Sequence, residues 1–112
     1  MDNAGCTARD ADGCTVVVIT GELTLTTAAD VLARLRTVCG ARRRIILDLT
    51  GVTFIDSIGV GVLIEAQRRT SSADGSLRLV CTNPNVLTVL RVSELENFFA
   101  IEDSVEKARA AL

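Results

Sequence analysis

The residues of this chain best placed for chemistry lie in one stretch, Phe54-Ile55-Asp56-Ser57-Ile58-Gly59-Val60-Gly61. A carboxylate and a hydroxyl stand side by side, with two glycines close behind. An apolar run, Ile45 to Leu49, precedes the stretch, and a helix-like segment, Val62 to Arg69, follows it. A serine so placed sits where a buried strand hands over to a helix N-terminus. Its hydroxyl is exposed, and the free N–H groups of the helix end carry partial positive charge. Such a place suits a switchable phosphate, which adds roughly −1.5 to −2 charges and three acceptor oxygens. Position alone favours a plainer reading, in which Asp56 or Ser57 caps the helix.

Gly59-Val60-Gly61 lacks the third glycine of a dinucleotide loop, and no G-x-x-x-x-G-K-S/T occurs. A Rossmann or Walker-type enzyme is therefore not expected. The glycines read as close packing of a helix start on a sheet, or as bare backbone that a partner can approach. With no histidine, a Ser-His-Asp triad and His-ligated zinc are impossible within this chain. Asp48 and Asp56 flank one strand-to-helix connection, but Asp48 lies within an apolar strand and reads as structural. No catalytic pair, metal or cofactor is expected, and the chain does not read as an enzyme.

Cys6, Cys14, Cys39 and Cys81 show no C-x-x-C spacing, so neither a zinc ribbon nor a thioredoxin motif is supported. Cys81 reads as core packing. Cys6 and Cys14 flank a candidate hairpin, which leaves a regulatory disulfide open. The net charge of −2 gives no general case for nucleic acid, and three Phe without Trp or Tyr leave few platforms for stacking bases. The cluster Arg42-Arg43-Arg44 reads mainly as a solvated loop, with an anion or partner contact as the alternative. No apolar run reaches the roughly 18 residues of a membrane span, and Met1 to Asp10 shows no secretory pattern. The expectation is a cytoplasmic protein with reduced thiols.

The elements that must position Ser57 follow from periodicity. At 112 residues, 48% of them hydrophobic, the chain suits one domain spanning 1–112 with a sizeable core. Cys6 to Asp10 and Cys14 to Thr20 read as strands joined by Ala11-Asp12-Gly13, a hairpin signal. Val16 to Ile19 is β-branched throughout, as in a strand covered on both faces. Gly21 reads as the break after it. Thr26 to Val38 reads as a helix capped by Thr26 or Thr27, with Asp30 in its first turn, an apolar stripe at Val31, Leu32, Leu35 and Val38, and Gly40 as its stop. Ile45 to Leu49 and Leu77 to Cys81 are strands, and Ser71 to Gly75 is a loop. Asn83-Pro84 opens a helix with Val86, Leu87 and Leu90 inward. Phe98 to Ile101 is a short strand or core plug, and Asp103-Ser104-Val105-Glu106 resembles a capping box for a terminal helix. The order β-β-α-β-α-β-α-(β)-α predicts an α/β fold, with a mixed, mainly parallel sheet of four to five strands and about four helices.

Three segments in order carry a resemblance: Gly21-Glu22-Leu23, Ile45-Ile46-Leu47-Asp48-Leu49, and the Phe54 to Gly61 stretch. Together with Gly75 to Val80 they resemble a STAS domain over nearly the whole chain, and more narrowly the bacterial anti-sigma factor antagonists. The resemblance implies a binding module rather than a catalyst. It implies that the protein binds an anti-sigma factor of the serine-kinase type and so releases a sigma factor. It further implies that the kinase phosphorylates Ser57, that the phosphorylated form lets go, and that a serine phosphatase resets it. The implied contact surface takes in Gly21, Glu22, Leu23, Thr24, Thr26, Asp56, Ser57, Ile58, Gly59 and Gly61, with the exposed face of the following helix. A homodimer is left open. Two positions depart from the family's usual pattern: Thr24 stands where an Asp often follows Gly-Glu-Leu, and Ile58 stands where a second hydroxyl often follows the serine. They motivate an alternative, an adaptor or scaffold of the same fold that is not phosphorylated, in a signalling or lipid-transport assembly.

Overall fold

Residues whose apolar side chains alternate toward two faces form the centre of the sheet, and the helices cover those faces unequally. The computed structural model describes residues 4–95 and 97–112; Met1 to Asn3 and Glu96, part of the domain expected over 1–112, lie outside the described residues. The elements are β1 (Ala4–Ala11), β2 (Cys14–Leu23), α1 (Ala28–Ala41), β3 (Arg44–Ile55), α2 (Ser57–Ser72), β4 (Ser76–Val80), α3 (Pro84–Val92), β5 (Ile101–Glu102) and α4 (Val105–Ala111). The strands lie in sequence order, β1-β2-β3-β4-β5. β1 pairs antiparallel with β2, and every later pair is parallel. The mixed, mainly parallel sheet and the element order are those the periodicity predicts.

Val17, Ile19, Ile45, Leu47 and Leu49 point to the face covered by α1, α2 and α3. Cys14, Val16 and Ile46 point to the other face, where Ala108 of α4 meets them with Val80. This period of two, apolar on both sides, is why β2 reads as a strand covered on both faces, and β3 shares it. Arg36 Nε lies 3.0 Å from Glu65 Oε2, tying α1 to α2 on the outer surface.

Several boundaries differ from the sequence reading. Ala11 belongs to β1 and closes the ladder opposite Cys14, so the turn is Asp12-Gly13 alone. Both have positive φ, 51° and 83°, as a two-residue type I′ hairpin turn requires. Gly21 does not end β2: with φ of 86° it sits at a register shift, and the strand runs on to Leu23. β3 likewise extends to Ile55. Gly40 does not stop α1, which ends at Ala41 with Arg42 extended behind it. The terminal helix is capped by Ser104, which accepts from the Lys107 amide at 3.1 Å; Glu106 stands one position too early for a capping box.

Cys6 stands opposite Ile19 in the hairpin, five residues along the strand from Ala11, the partner of Cys14. Cys6 packs on the α1 side of the sheet and Cys14 on the α4 side. The disulfide left open by the sequence is thus geometrically excluded, and all four thiols are free. Arg42 and Arg44 are engaged, with Asp10 at 3.4 Å and the Leu112 carbonyl at 3.3 Å, and Arg44 begins β3 rather than lying in a loop.

Candidate functional site

The site begins where β2 and β3 overrun the rest of the sheet. Two register shifts, between Val18 and Thr20 and between Gly21 and Glu22, carry the pair onward. Gly51 allows this, since a Cβ there would stand 2.8 Å from Thr20 Cγ2. The pair ends with Leu23 beside Ile55, both buried. The next amide, Asp56 N–H, donates to the Leu23 carbonyl at 3.3 Å, so chain direction changes under hydrogen-bond control.

Asp56 is extended, with φ −109° and ψ −176°, and caps α2. Its Oδ1 accepts from the Gly59 amide at 2.8 Å, and its Oδ2 from the Leu25 amide at 3.0 Å. Burial pushes the Asp56 carboxyl upward, but bonds from the Gly59, Leu25 and Ile58 amides outweigh it, and the pKa lies below the usual value. The two readings of Asp56 and Ser57 therefore separate. Asp56 caps; Ser57 is the first helical residue, exposed, and its hydroxyl has no hydrogen-bond partner among the described residues.

The segment between β2 and α1 is a closed turn. The Thr27 and Ala28 amides donate to the Thr24 carbonyl at 3.1 and 2.8 Å. Thr27 Oγ1 donates to the Glu22 carbonyl at 2.7 Å and accepts from the Thr24 amide at 3.0 Å. Thr27, expected as a helix cap, makes no side-chain cap bond; its hydroxyl holds the turn instead. Thr24 is turned inward, and its buried Oγ1 has no partner among the described residues. Leu25 is pushed out to 72% exposure. Thr26 is exposed, and Glu22 is half-buried beside Phe54.

The two glycines of the motif do different work. A Cβ on Gly59 would stand 2.1 Å from the Leu23 carbonyl oxygen, so the bare backbone is what lets α2 start against β2. A Cβ on Gly61 would meet nothing within 4 Å. Gly61 is exposed and lies four residues after Ser57, on the same helix face. Beside Ser57 that surface carries Leu25, Ile58 at 45% exposure and, on the strand leading in, Phe54 at 51%. Phe54 heads the stretch read from sequence and Leu25 lies within its Gly21 to Thr26 segment, but the sequence marks neither for its exposure, and Thr27 reads there as a helix cap rather than as the bond that holds the turn. The signal available for Leu25 was an isolated leucine between threonines in a loop.

Residues 6–108 match the family model described as the STAS domain. A Thermotoga neapolitana protein named as an anti-sigma factor antagonist and TM1081 homolog is 34% identical over 65 residues, which is 58% of this chain and 58% of that protein. The crystal structure of an anti-sigma factor antagonist from Mycobacterium paratuberculosis superposes with a TM-score of 0.89 at 22% identity, covering 98% of this chain and 94% of that one. TM1081 of Thermotoga maritima superposes with a TM-score of 0.81 at 26% identity, covering 95% and 92%.

Proposed function

The chain belongs to the STAS domain family, and we propose that within it the chain is an anti-sigma factor antagonist switched by phosphorylation of Ser57. In this reading the unphosphorylated form binds an anti-sigma factor of the serine-kinase type and frees a sigma factor. The observation that carries the reading is the division of labour at the start of α2. Asp56 takes the capping role with both oxygens, which leaves the Ser57 hydroxyl exposed and unbonded. A phosphate on that oxygen would sit at the positive end of a 16-residue helix and add charge outside the core. The fold should tolerate it. A partner seated on Leu25, Ile58 and the bare backbone at Gly61 would instead meet about two new negative charges in an apolar contact. A serine phosphatase would reverse the step.

The names carried by the similar proteins support the antagonist part of this reading. The test takes the partners that co-purify with the Ser57→Ala chain and incubates them with the wild type and ATP. The expected result is one added phosphate by intact mass, absent in Ser57→Ala, and loss of the partner from Ser57→Asp. Equal capture by wild type and Ser57→Asp would sink the switch.

One observation favours a second reading, the adaptor that is not phosphorylated. Thr24 is buried with an unsatisfied hydroxyl, and Ile58 is apolar and exposed, so the serine's surroundings are less polar than the family pattern. No added phosphate, together with unchanged partner capture by Ser57→Ala, would select it.

A further inference from the structure

The sheet has two edges, and they are protected very differently. β5 is two residues long, whereas β1 is eight. Ala4 to Ala8 carries no charge and no proline, and β1 pairs with β2 through an unbroken register without a bulge. Charges, prolines, bulges and shortness are the usual means of blunting an edge, and the first five residues of β1 show none of them. Ala4 to Thr7 also line an open groove of about 540 Å³ together with Asp30, Val31, Ala33 and Arg34 of α1.

The hairpin fixes which backbone groups β1 presents. Ala11 and Cys14 flank a two-residue turn and form its hydrogen-bonded closing pair. Antiparallel ladders alternate, so Ala11, Arg9, Thr7 and Gly5 bond inward to β2, and the N–H and C=O of Asp10, Ala8, Cys6 and Ala4 point outward. A second antiparallel β1 centred on Thr7 matches all four outward residues. It sets Cys6 against Ala8 and Ala4 against Asp10, each pair occurring twice. Thr7 then faces Thr7, a favourable cross-strand pair, and Arg9 faces Gly5. No like charges oppose each other, so the edge is complementary to itself.

We infer that β1 is a self-association surface, through which two copies of this chain join their sheets antiparallel about a two-fold axis at Thr7. Such an interface is isologous and closed, leaving only the two short β5 edges. The inference does not rest on the Ser57 reading, because β1 contributes nothing to that site.

Sedimentation equilibrium of the full chain across micromolar to millimolar concentration tests it, with a species of twice the 11.9 kDa chain mass expected. Thr7→Lys places two ammonium groups at the axis and Ala8→Pro removes an outward N–H that β2 does not use. Each should weaken the dimer at least tenfold with unchanged circular dichroism. Thr7→Cys supplies the positive arm: facing Cα atoms in a non-hydrogen-bonded pair lie about 4.5 Å apart, within disulfide reach. Two Thr7→Cys thiols should lose two electrons and two protons to glutathione disulfide, giving a covalent dimer and two glutathiones. Arg9→Cys and the wild type should not cross-link. A monomer at every concentration overturns the proposal. So does a dimer untouched by Thr7→Lys, or one that Thr7→Cys fails to cross-link.

Discussion

The Asp56 carboxylate holds the Leu25 amide at 3.0 Å across 31 residues of chain, while its other oxygen caps α2 through Gly59. One side chain therefore sets both the start of the helix and the position of the loop that flanks Ser57. The pair couples two segments that would otherwise meet a partner independently.

That coupling predicts a pH dependence. The folded-state pKa of Asp56 is depressed, because the amides of Gly59, Leu25 and Ile58 favour the ionised form against the effect of burial. Its contribution to stability is therefore full above the unfolded value, near 4, and is lost as pH falls through the lower folded value. Asp56→Asn keeps acceptor geometry on one atom but cannot ionise, so urea midpoints between about pH 2 and 5 should fall less steeply than in wild type. Asp56→Ala at pH 7 should cost about 1–2 kcal/mol, as cap deletions do. An acid limb identical in wild type and Asp56→Asn would contradict the assignment.

The motif's glycines should respond oppositely to one methyl group. Gly59→Ala forces a Cβ to within 2.1 Å of the Leu23 carbonyl, a backbone atom that cannot turn aside. A loss of roughly 3 kcal/mol, the upper end of the overpacking range, is expected in chemical denaturation. Gly61→Ala adds a methyl to open space within a helix and should stabilise by about 0.5–1 kcal/mol. If partner capture nevertheless weakens in Gly61→Ala, the open backbone is a contact.

The contrast shows how much of the site could be read in the sequence. Apolar periodicity gave the element order and the sheet type, because Val16 to Ile19 and Ile45 to Leu49 have few other ways to be buried. The Ser57 setting followed from strand, turn and helix in succession. The division between Asp56 and Ser57 did not, since either residue type can cap and only the extended backbone of Asp56 decides. The ends of β2 and β3 were also hidden. Gly21 reads as a break, whereas it sits at a register shift through which β2 continues, and Gly51 leaves room for Thr20 on the neighbouring strand. The outward turn of Leu25 depends on the Thr27 hydroxyl, a bond within the loop that no hydrophobic pattern records.

Thr24 offers a direct test of how far the site departs from its family. Its hydroxyl is buried and unpaired, a state that costs on the order of 1 kcal/mol. Thr24→Val replaces it with an isosteric methyl and should raise stability by about that amount in urea titration. Thr24→Asp buries a carboxylate at the same point and should destabilise, with a midpoint that improves as pH is lowered toward 4. A gain in stability from Thr24→Asp at pH 7 would mean that the turn opens to solvate the charge.

The apolar residues around Ser57 bear on what the surface is for. Leu25 is 72% exposed, and Ile58 and Phe54 are roughly half exposed, all three close to Ser57; the other exposed large apolar side chains among the described residues, Val92 and Phe98, lie at the end of α3 and beyond it. Leu25→Ser removes little from the core and should change stability by less than about 0.5 kcal/mol, as for surface substitutions generally. If Leu25 anchors a partner, the same change should lower capture of that partner at least tenfold, about 1.4 kcal/mol, in line with truncation of an interface anchor. Leu25 is held through its own amide by Asp56, so Asp56→Ala should reproduce part of that loss even though it leaves the leucine side chain in place. Measuring both variants against the same partner separates the two contributions: equal capture by wild type and Leu25→Ser would remove Leu25 from the interface, and undiminished capture by Asp56→Ala would show that the loop needs no clamp to bind.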